Sequence, residues 1–296
     1  MSIALLFPGQ AAQFVGMTAK EVDLSPQAVE ILHLVDETLG YKLSDIMLNG
    51  PEEKLKQTIH TQPAVYVHSY LMLERYRQDH QITAVAGHSL GEISACVAAG
   101  VLDFESGLRL VQERAEAMQE ACEKNPSTMA AILGMEDESV IDICANINQV
   151  VVPANFNCPG QLVISGSHEG IAEAIRQCKE AGAKRALEIP VGGAFHSPLM
   201  EPALVRFKSY IDKIEFQDAA IPVYQNVDAS PHKTAATIKS NLVSQVTSPV
   251  RWTDSIRQMM DDGHTEYAEV GGKGKVLMGM LRKISRDANV ALWSEV

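Results

Sequence analysis

The chain is predicted to be an α/β protein with a largely parallel sheet, into which a small subdomain of the ferredoxin-like kind is inserted. Three observations carry that prediction. Short runs rich in β-branched residues alternate with helical stretches along most of the 296 residues. One strand-to-helix junction reads Gly87-His88-Ser89-Leu90-Gly91, the Gly-x-Ser-x-Gly form of a sharp turn that presents a serine. Between Asn125-Pro126-Ser127 and Pro190 the order of elements becomes β-α-β-β-α-β.

In order along the chain, 2–7 reads as a buried strand and Pro8-Gly9-Gln10 as the loop leaving it. Residues 26–39 form an amphipathic helix closed by Gly40. Gln62-Pro63 opens a helix over 64–76, with proline in a tolerated first-turn position. A strand over 82–86 leads into the Ser89 turn and a small-residue helix, and Asp103 caps a further helix reaching about Cys122. The insert contributes strands at 128–133, 150–155, 161–165 and 185–190, and helices at 136–146 and 168–181. Beyond it come a helix near 199–214, a strand near 222–225, helices near 235–245 and 252–261, a strand at 267–270 and a helix at 275–285. Residues 1–126 and 196–296 therefore make one body, α/β-hydrolase-like because of its serine turn. Residues 127–195 make the insert, with a cleft between the two where a ligand is favoured.

Composition narrows the function classes. A 46% hydrophobic content fills a large core, and a formal net charge of −12 lacks the basic face a nucleic-acid binder needs. No apolar run reaches membrane-spanning length, and the first residues meet Pro8 too early for a secretory signal. Cys96, Cys122, Cys144, Cys158 and Cys178 are odd in number and widely spaced, which suits a reducing compartment and neither a disulfide framework nor a zinc site. A cytoplasmic monomer with no bound metal is expected.

The Ser89 turn admits two readings, an activated nucleophile or a helix cap. A nucleophile needs a base, and histidine titrates in the right range. Of nine histidines, His88 points away from its neighbour and is taken as a supporting group, and His68 lies on an apolar helix and is taken as a core residue. His33, His60, His80, His168, His232 and His264 have polar or turn-like surroundings and are read as surface residues. His196 lies in Val191-Gly192-Gly193-Ala194-Phe195-His196-Ser197-Pro198, where the chain returns from the insert to the cleft, and is the candidate base. No acidic residue stands out as a third member. The N–H groups of Leu90 and of the early loop at Gln10 are candidate oxyanion donors. Arg114 is either an exposed helical arginine paired with a nearby glutamate or a bidentate clamp for a substrate carboxylate.

Seven motifs in order now form a pattern: Phe7-Pro8-Gly9-Gln10, Thr61-Gln62-Pro63-Ala64, Gly87-His88-Ser89-Leu90-Gly91-Glu92, Gln112-Glu113-Arg114, Asn157-Cys158-Pro159-Gly160-Gln161, Ala194-Phe195-His196-Ser197 and Ser248-Pro249-Val250-Arg251-Trp252. Together they resemble the malonyl-CoA:acyl-carrier-protein transacylases of fatty acid synthesis and their polyketide-synthase relatives, over essentially the whole chain. The resemblance implies ping-pong transfer of malonyl from malonyl-CoA to the phosphopantetheine thiol of an acyl carrier protein. Ser89 is then the nucleophile, His196 the base, Gln10 and Leu90 the oxyanion donors and Arg114 the partner of the malonyl carboxylate. It further implies that a main-chain carbonyl near Arg251 orients His196, that Gln62 supports the site, and that Phe195 leaves little room for an α-methyl branch.

Ala11 stands where the family has glycine, Gly271-Gly272-Lys273-Gly274-Lys275 replaces a Gly-Pro-Gly, and Cys158 stands where serine is common. The five basic residues and absent acids between Gly271 and Arg286 suggest part of a docking face for an acidic carrier, or simply a solvated helix. A serine thioesterase or hydrolase, a carrier-binding scaffold with a vestigial site, and an acyltransferase serving a polyketide synthase remain as alternatives.

Overall fold

The computed structural model describes residues 2–77 and 80–293. Its strands are β1 (Ser2–Phe7), β2 (Gln81–Gly87), β3 (Thr128–Leu133), β4 (Val151–Cys158), β5 (Gln161–Gly166), β6 (Arg185–Ile189), β7 (Val223–Tyr224), β8 (Pro231–His232), β9 (Glu266–Glu269) and β10 (Asn289–Leu292). They form two sheets, one in the order β10-β9-β1-β2-β7-β8 and one in the order β4-β5-β3-β6. Strands β10, β9, β1, β2 and β7 run parallel and only the short β8 is antiparallel, whereas the second sheet is antiparallel throughout. The architecture is thus mixed α/β with a parallel sheet and a separate antiparallel one, as the alternation of elements predicts.

The parallel sheet is covered on both faces, which explains why β1 is a continuous apolar run rather than an alternating one. Leu5, Phe7 and Val85 point into one core, shared with the helices Thr58–Tyr76, Gly91–Ala98 and Phe104–Lys124. Ala4, Leu6, Ala84 and Ala86 point the other way, onto Trp252, Ile256 and Leu281. The antiparallel sheet carries a smaller core of its own, centred on Ile132, Ile164 and Ile171. It is tied to the main body along β4: Val250 N–H donates to Ala154 O (2.8 Å) and Phe156 N–H donates to Val250 O (2.9 Å).

Several boundaries differ from the sequence reading. The helix expected over 64–76 begins at Thr58, so Pro63 lies inside it. Proline there removes the N–H that would bond Ile59 O, and the Tyr41 hydroxyl supplies the missing donor at 3.3 Å. Strand β4 runs on to Cys158, past the expected end at 155. Helices at Ala19–Leu24, Leu43–Asn49 and Glu52–Leu55, and the edge strand β10, have no counterpart in the sequence reading. His60, read as a surface residue, is buried with its ring against Tyr41. Asp103 does cap its helix, accepting from Ser106 N–H at 2.7 Å. Among the described residues no helix is long and apolar enough to cross a membrane.

The loops that leave the carboxyl ends of β1, β2 and β9 lie together, the usual position for a site in such a sheet. His88 N–H donates to Phe7 O (2.9 Å), and a Cβ on Gly272 would meet Ala12 Cβ at 2.8 Å. Ala11 adopts φ 77°, so the backbone keeps the left-handed path that glycine usually provides, at a steric cost of about 1 kcal/mol. Ala11→Gly is therefore expected to raise the unfolding temperature by about 1–3 °C in a thermal melt. A lowered melting temperature would contradict the assignment of strain to this residue.

Candidate active site

Ser89 sits where β2 ends and the helix Gly91–Ala98 begins, in the left-handed region at φ 52°. Gly87 and Gly91 make the turn possible. A Cβ on Gly87 would lie 1.9 Å from the Gly91 carbonyl carbon, and one on Gly91 would lie 2.1 Å from Phe7 O. Strand, turn and helix therefore pass at backbone contact, and the serine at the apex faces the helix N-terminus with its free N–H groups. Of the two readings of this motif, the geometry is that of a presented serine.

His196 is also left-handed, at φ 58°, and 3% exposed. Its Nε2 lies 2.7 Å from Ser89 Oγ and its Nδ1 lies 2.8 Å from Gln245 O. A carbonyl can only accept, so Nδ1 carries the proton and the Nε2 lone pair faces the serine hydroxyl. Burial, and after it the charge of Arg114, push the imidazole down to about 3. The imidazole is neutral at pH 7. The carbonyl that Nδ1 meets is that of Gln245, six residues before Arg251, and the backbone of Ser248, three residues before it, also bonds the ring, so the resemblance points to the right segment. Gln245 follows the last turn of the helix Ala235–Ser244, where carbonyls lack intrahelical partners and remain available.

Arg114 is 2% exposed, which removes the reading of an exposed helical arginine. Its guanidinium donates to Gln62 Oε1 (2.8 Å), Ser89 Oγ (3.0 Å) and Gln245 Oε1 (3.0 Å). The acids of its own helix are engaged elsewhere: Arg206 binds Glu113 (2.7 Å), Glu116 (2.7 Å) and Glu120 (3.0 Å). Among the described residues no carboxylate stands within ion-pair distance of Arg114. Burial lowers it to about 10, against the pull of Glu92, so it stays charged at pH 7. A buried cation without a counter-ion is costly, and an anionic ligand would relieve that cost.

Leu90 is fully buried, and Gln10 lies on the loop after β1, where its side-chain carbonyl accepts from Gln62 Nε2 at 3.3 Å. The backbone N–H groups of Gln10 and Leu90 have no acceptor among the described residues. Phe195 is 5% exposed and packs in the main core, while its carbonyl accepts from Ser165 of β5 at 2.6 Å. His88 does not face Ser89 Oγ; its Nε2 meets Asn157 Oδ1 of the antiparallel sheet at 2.8 Å. His68 is buried and accepts from Gly272 N–H at 3.0 Å, which anchors the loop that replaces the family's Gly-Pro-Gly. Ser89, His196, Arg114 and Gln62 are thus brought together, and the sequence reading omits Gln245, whose backbone and side chain meet three of them or their neighbours. Glutamine has no single chemical use that would mark it. Only its place at a helix end beside the Ser248–Trp252 motif hints at a role. Among the described residues no cluster of histidine, cysteine, aspartate or glutamate could hold a metal ion.

A family model described as an acyl transferase domain matches residues 4–291. A malonyl CoA-acyl carrier protein transacylase of Bacillus subtilis is 42% identical over 289 residues, covering 96% of this chain and 90% of that protein. The structure of the malonyl CoA-acyl carrier protein transacylase from Coxiella burnetii superimposes with a TM-score of 0.95 at 36% identity, over 99% of this chain and 94% of the other. A malonyl-transacylase solved in complex with a type II PKS acyl-carrier protein gives 0.95 at 37% identity, over 99% and 96%. On a family match of this extent and relatives this similar, the chain belongs to the acyl transferase domain family.

Proposed function

We propose that this protein transfers malonyl from malonyl-CoA to the phosphopantetheine thiol of an acyl carrier protein, through a malonyl ester on Ser89. The observation that carries the substrate assignment is Arg114, a buried guanidinium beside Ser89 Oγ with no carboxylate partner. A free carboxylate on the acyl group supplies that partner, bidentately. His196 Nε2 takes the Ser89 proton as Oγ attacks the thioester carbonyl. The resulting oxyanion is held by the N–H groups of Gln10 and Leu90. The intermediate collapses, the C–S bond breaks, and His196 returns the proton to the departing CoA thiol. In the second half the carrier's thiol gives its proton to His196, attacks the ester and releases Ser89 as its hydroxyl. The proposed chemistry calls on no bound cofactor.

The same reading takes the antiparallel sheet as a ferredoxin-like subdomain over 127–195, supported by its β-α-β-β-α-β order and the strand order β4-β5-β3-β6. The remainder, 1–126 and 196–296, is taken as an α/β-hydrolase-like body, supported by the parallel sheet and the Ser89 turn. We place the enzyme in the cytoplasm, as a monomer, in fatty acid synthesis. A polyketide carrier would require the same chemistry, as the transacylase solved with its type II PKS carrier illustrates. Phe195, bulky and buried beside His196, is proposed to limit room for an α-methyl branch.

Against a plain thioesterase, Arg114→Ala is expected to lower kcat/KM for malonyl-CoA by about 10²-fold, equivalent to about 2.7 kcal/mol, while use of acetyl-CoA is kept or raised. Equal losses on both substrates would remove the clamp. For the carrier, Lys273, Lys275, Arg282, Lys283 and Arg286 are all exposed and form the proposed basic docking face. Charge reversal at Lys273 and Lys275 is expected to raise the KM for carrier protein at least about fivefold and leave that for malonyl-CoA unchanged. An unchanged carrier KM would move the docking site elsewhere.

A further inference from the structure

Asn226 is fully buried and lies far from Ser89 in sequence, yet its side chain holds both backbone groups that flank His88. Ser89 N–H donates to Asn226 Oδ1 (2.8 Å), and Asn226 Nδ2 donates to Gly87 O (2.7 Å). The origin of this pairing lies in the sheet. Strand β7 pairs with β2 in parallel, Val85 with Val223 and Ala86 with Tyr224, and Val85 N–H donates to Pro222 O (3.0 Å). Continued in register, that ladder would have the main chain of residue 226 donate to Gly87 O and accept from Ser89 N–H. Instead the main chain turns away. Asn226 N–H goes to Glu92 Oε2 (2.8 Å), and Asn226 O accepts from Arg251 N–H (3.0 Å). The carboxamide takes over the two ladder bonds that its own backbone has left.

We infer that Asn226 is a positioning residue that sets the Ser89 turn by extending the β2–β7 ladder with a side-chain peptide mimic. A carboxamide presents an acceptor and a donor in one plane as a peptide group does, whereas an ionised carboxylate presents acceptors alone. Gln245 Nε2 also donates to Asn226 Oδ1 at 3.3 Å, and Gln225 Nε2 donates to Glu92 Oε1 at 2.9 Å, which fixes the carboxyl that takes the Asn226 N–H. Ser89 at φ 52° lies in a region that non-glycine residues leave when unconstrained. Released from Asn226, the turn would relax and carry Oγ off the line to His196 Nε2, while Arg114 keeps its bond to Gln62. The inference rests on Ser89 being the nucleophile.

The test is the single-turnover rate of malonyl adduct formation, followed by rapid-quench mass spectrometry with the adduct mapped to its residue. Asn226→Ala is expected to lower the saturating acylation rate by about 10- to 100-fold while the half-saturating malonyl-CoA concentration stays within about threefold. Asn226→Asp is isosteric, and can donate to Gly87 O only when its carboxyl is protonated. Its neighbours are the Glu92 carboxyl, itself pushed up to about 7 by burial, which opposes a second negative charge, the Gln245 amide with the Arg114 guanidinium behind it, which favours one, and the backbone of Gly87, Ser89 and Arg251. Its rate relative to the unsubstituted protein should therefore rise as pH falls from about 8 to about 6. A folded Asn226→Ala protein that acylates at the original rate would overturn the inference, as would a pH-independent ratio for Asn226→Asp, which decides the matter should the alanine variant not fold. An adduct that does not map to Ser89 in the unsubstituted protein would defeat the nucleophile reading instead.

Discussion

The structure depends on one steric constraint, the crossing of β2 and the helix Gly91–Ala98 at backbone contact. Because Gly87 meets Gly91, and Gly91 meets Phe7 O, with no room for a Cβ, Ser89, the middle one of the three residues between them, is forced into a left-handed turn. That turn puts a hydroxyl at a helix N-terminus and at the carboxyl edge of a parallel sheet in the same step. The loops from β1 and β9 then gather around it because β1 lies beside β2, β9 lies beside β1 and all three run parallel. A serine elsewhere on the helix would have neither the exposure nor the neighbouring N–H groups.

Electrostatics complete what sterics begin. The site holds a neutral imidazole and a charged guanidinium on either side of one hydroxyl, and each is kept in that state by its surroundings. His196 is low because it is buried and close to Arg114, and a main-chain carbonyl fixes its proton on Nδ1. The carbonyl orients the ring but adds no negative charge, so formation of an imidazolium gains little beyond what the substrate brings. No carboxylate contacts Arg114, because Arg206 collects the glutamates of its helix and the buried Glu92, itself pushed up to about 7, acts on it only at a distance. The missing negative charge is then a property of the site that a malonyl carboxylate can supply and an acetyl group cannot.

Much of this is legible in the sequence where a pattern is local. The alternation of strand and helix, the Gly-x-Ser-x-Gly turn and the β-α-β-β-α-β run each fit within a few tens of residues, and the structure carries them with small shifts of boundary. The helix start at Thr58 is obscured because Pro63 looks like a beginning, while the Tyr41 hydroxyl that tolerates it internally comes from another segment. The burial of Arg114 is equally hidden: Glu113 and Glu116 beside it suggest a surface ion pair, and the competing Arg206 lies far along the chain. Gln245 and Asn226 are the least legible, because an amide side chain suits a surface as well as a buried bridge, and only the fold distinguishes them.

The most direct test of the account is mass spectrometry of the protein mixed with malonyl-CoA, with and without holo acyl carrier protein. The account predicts a malonyl adduct on Ser89 that persists in buffer and disappears when carrier is added, with malonyl appearing on the carrier's phosphopantetheine. No adduct on Ser89, or discharge to water as fast without the carrier as with it, would contradict it.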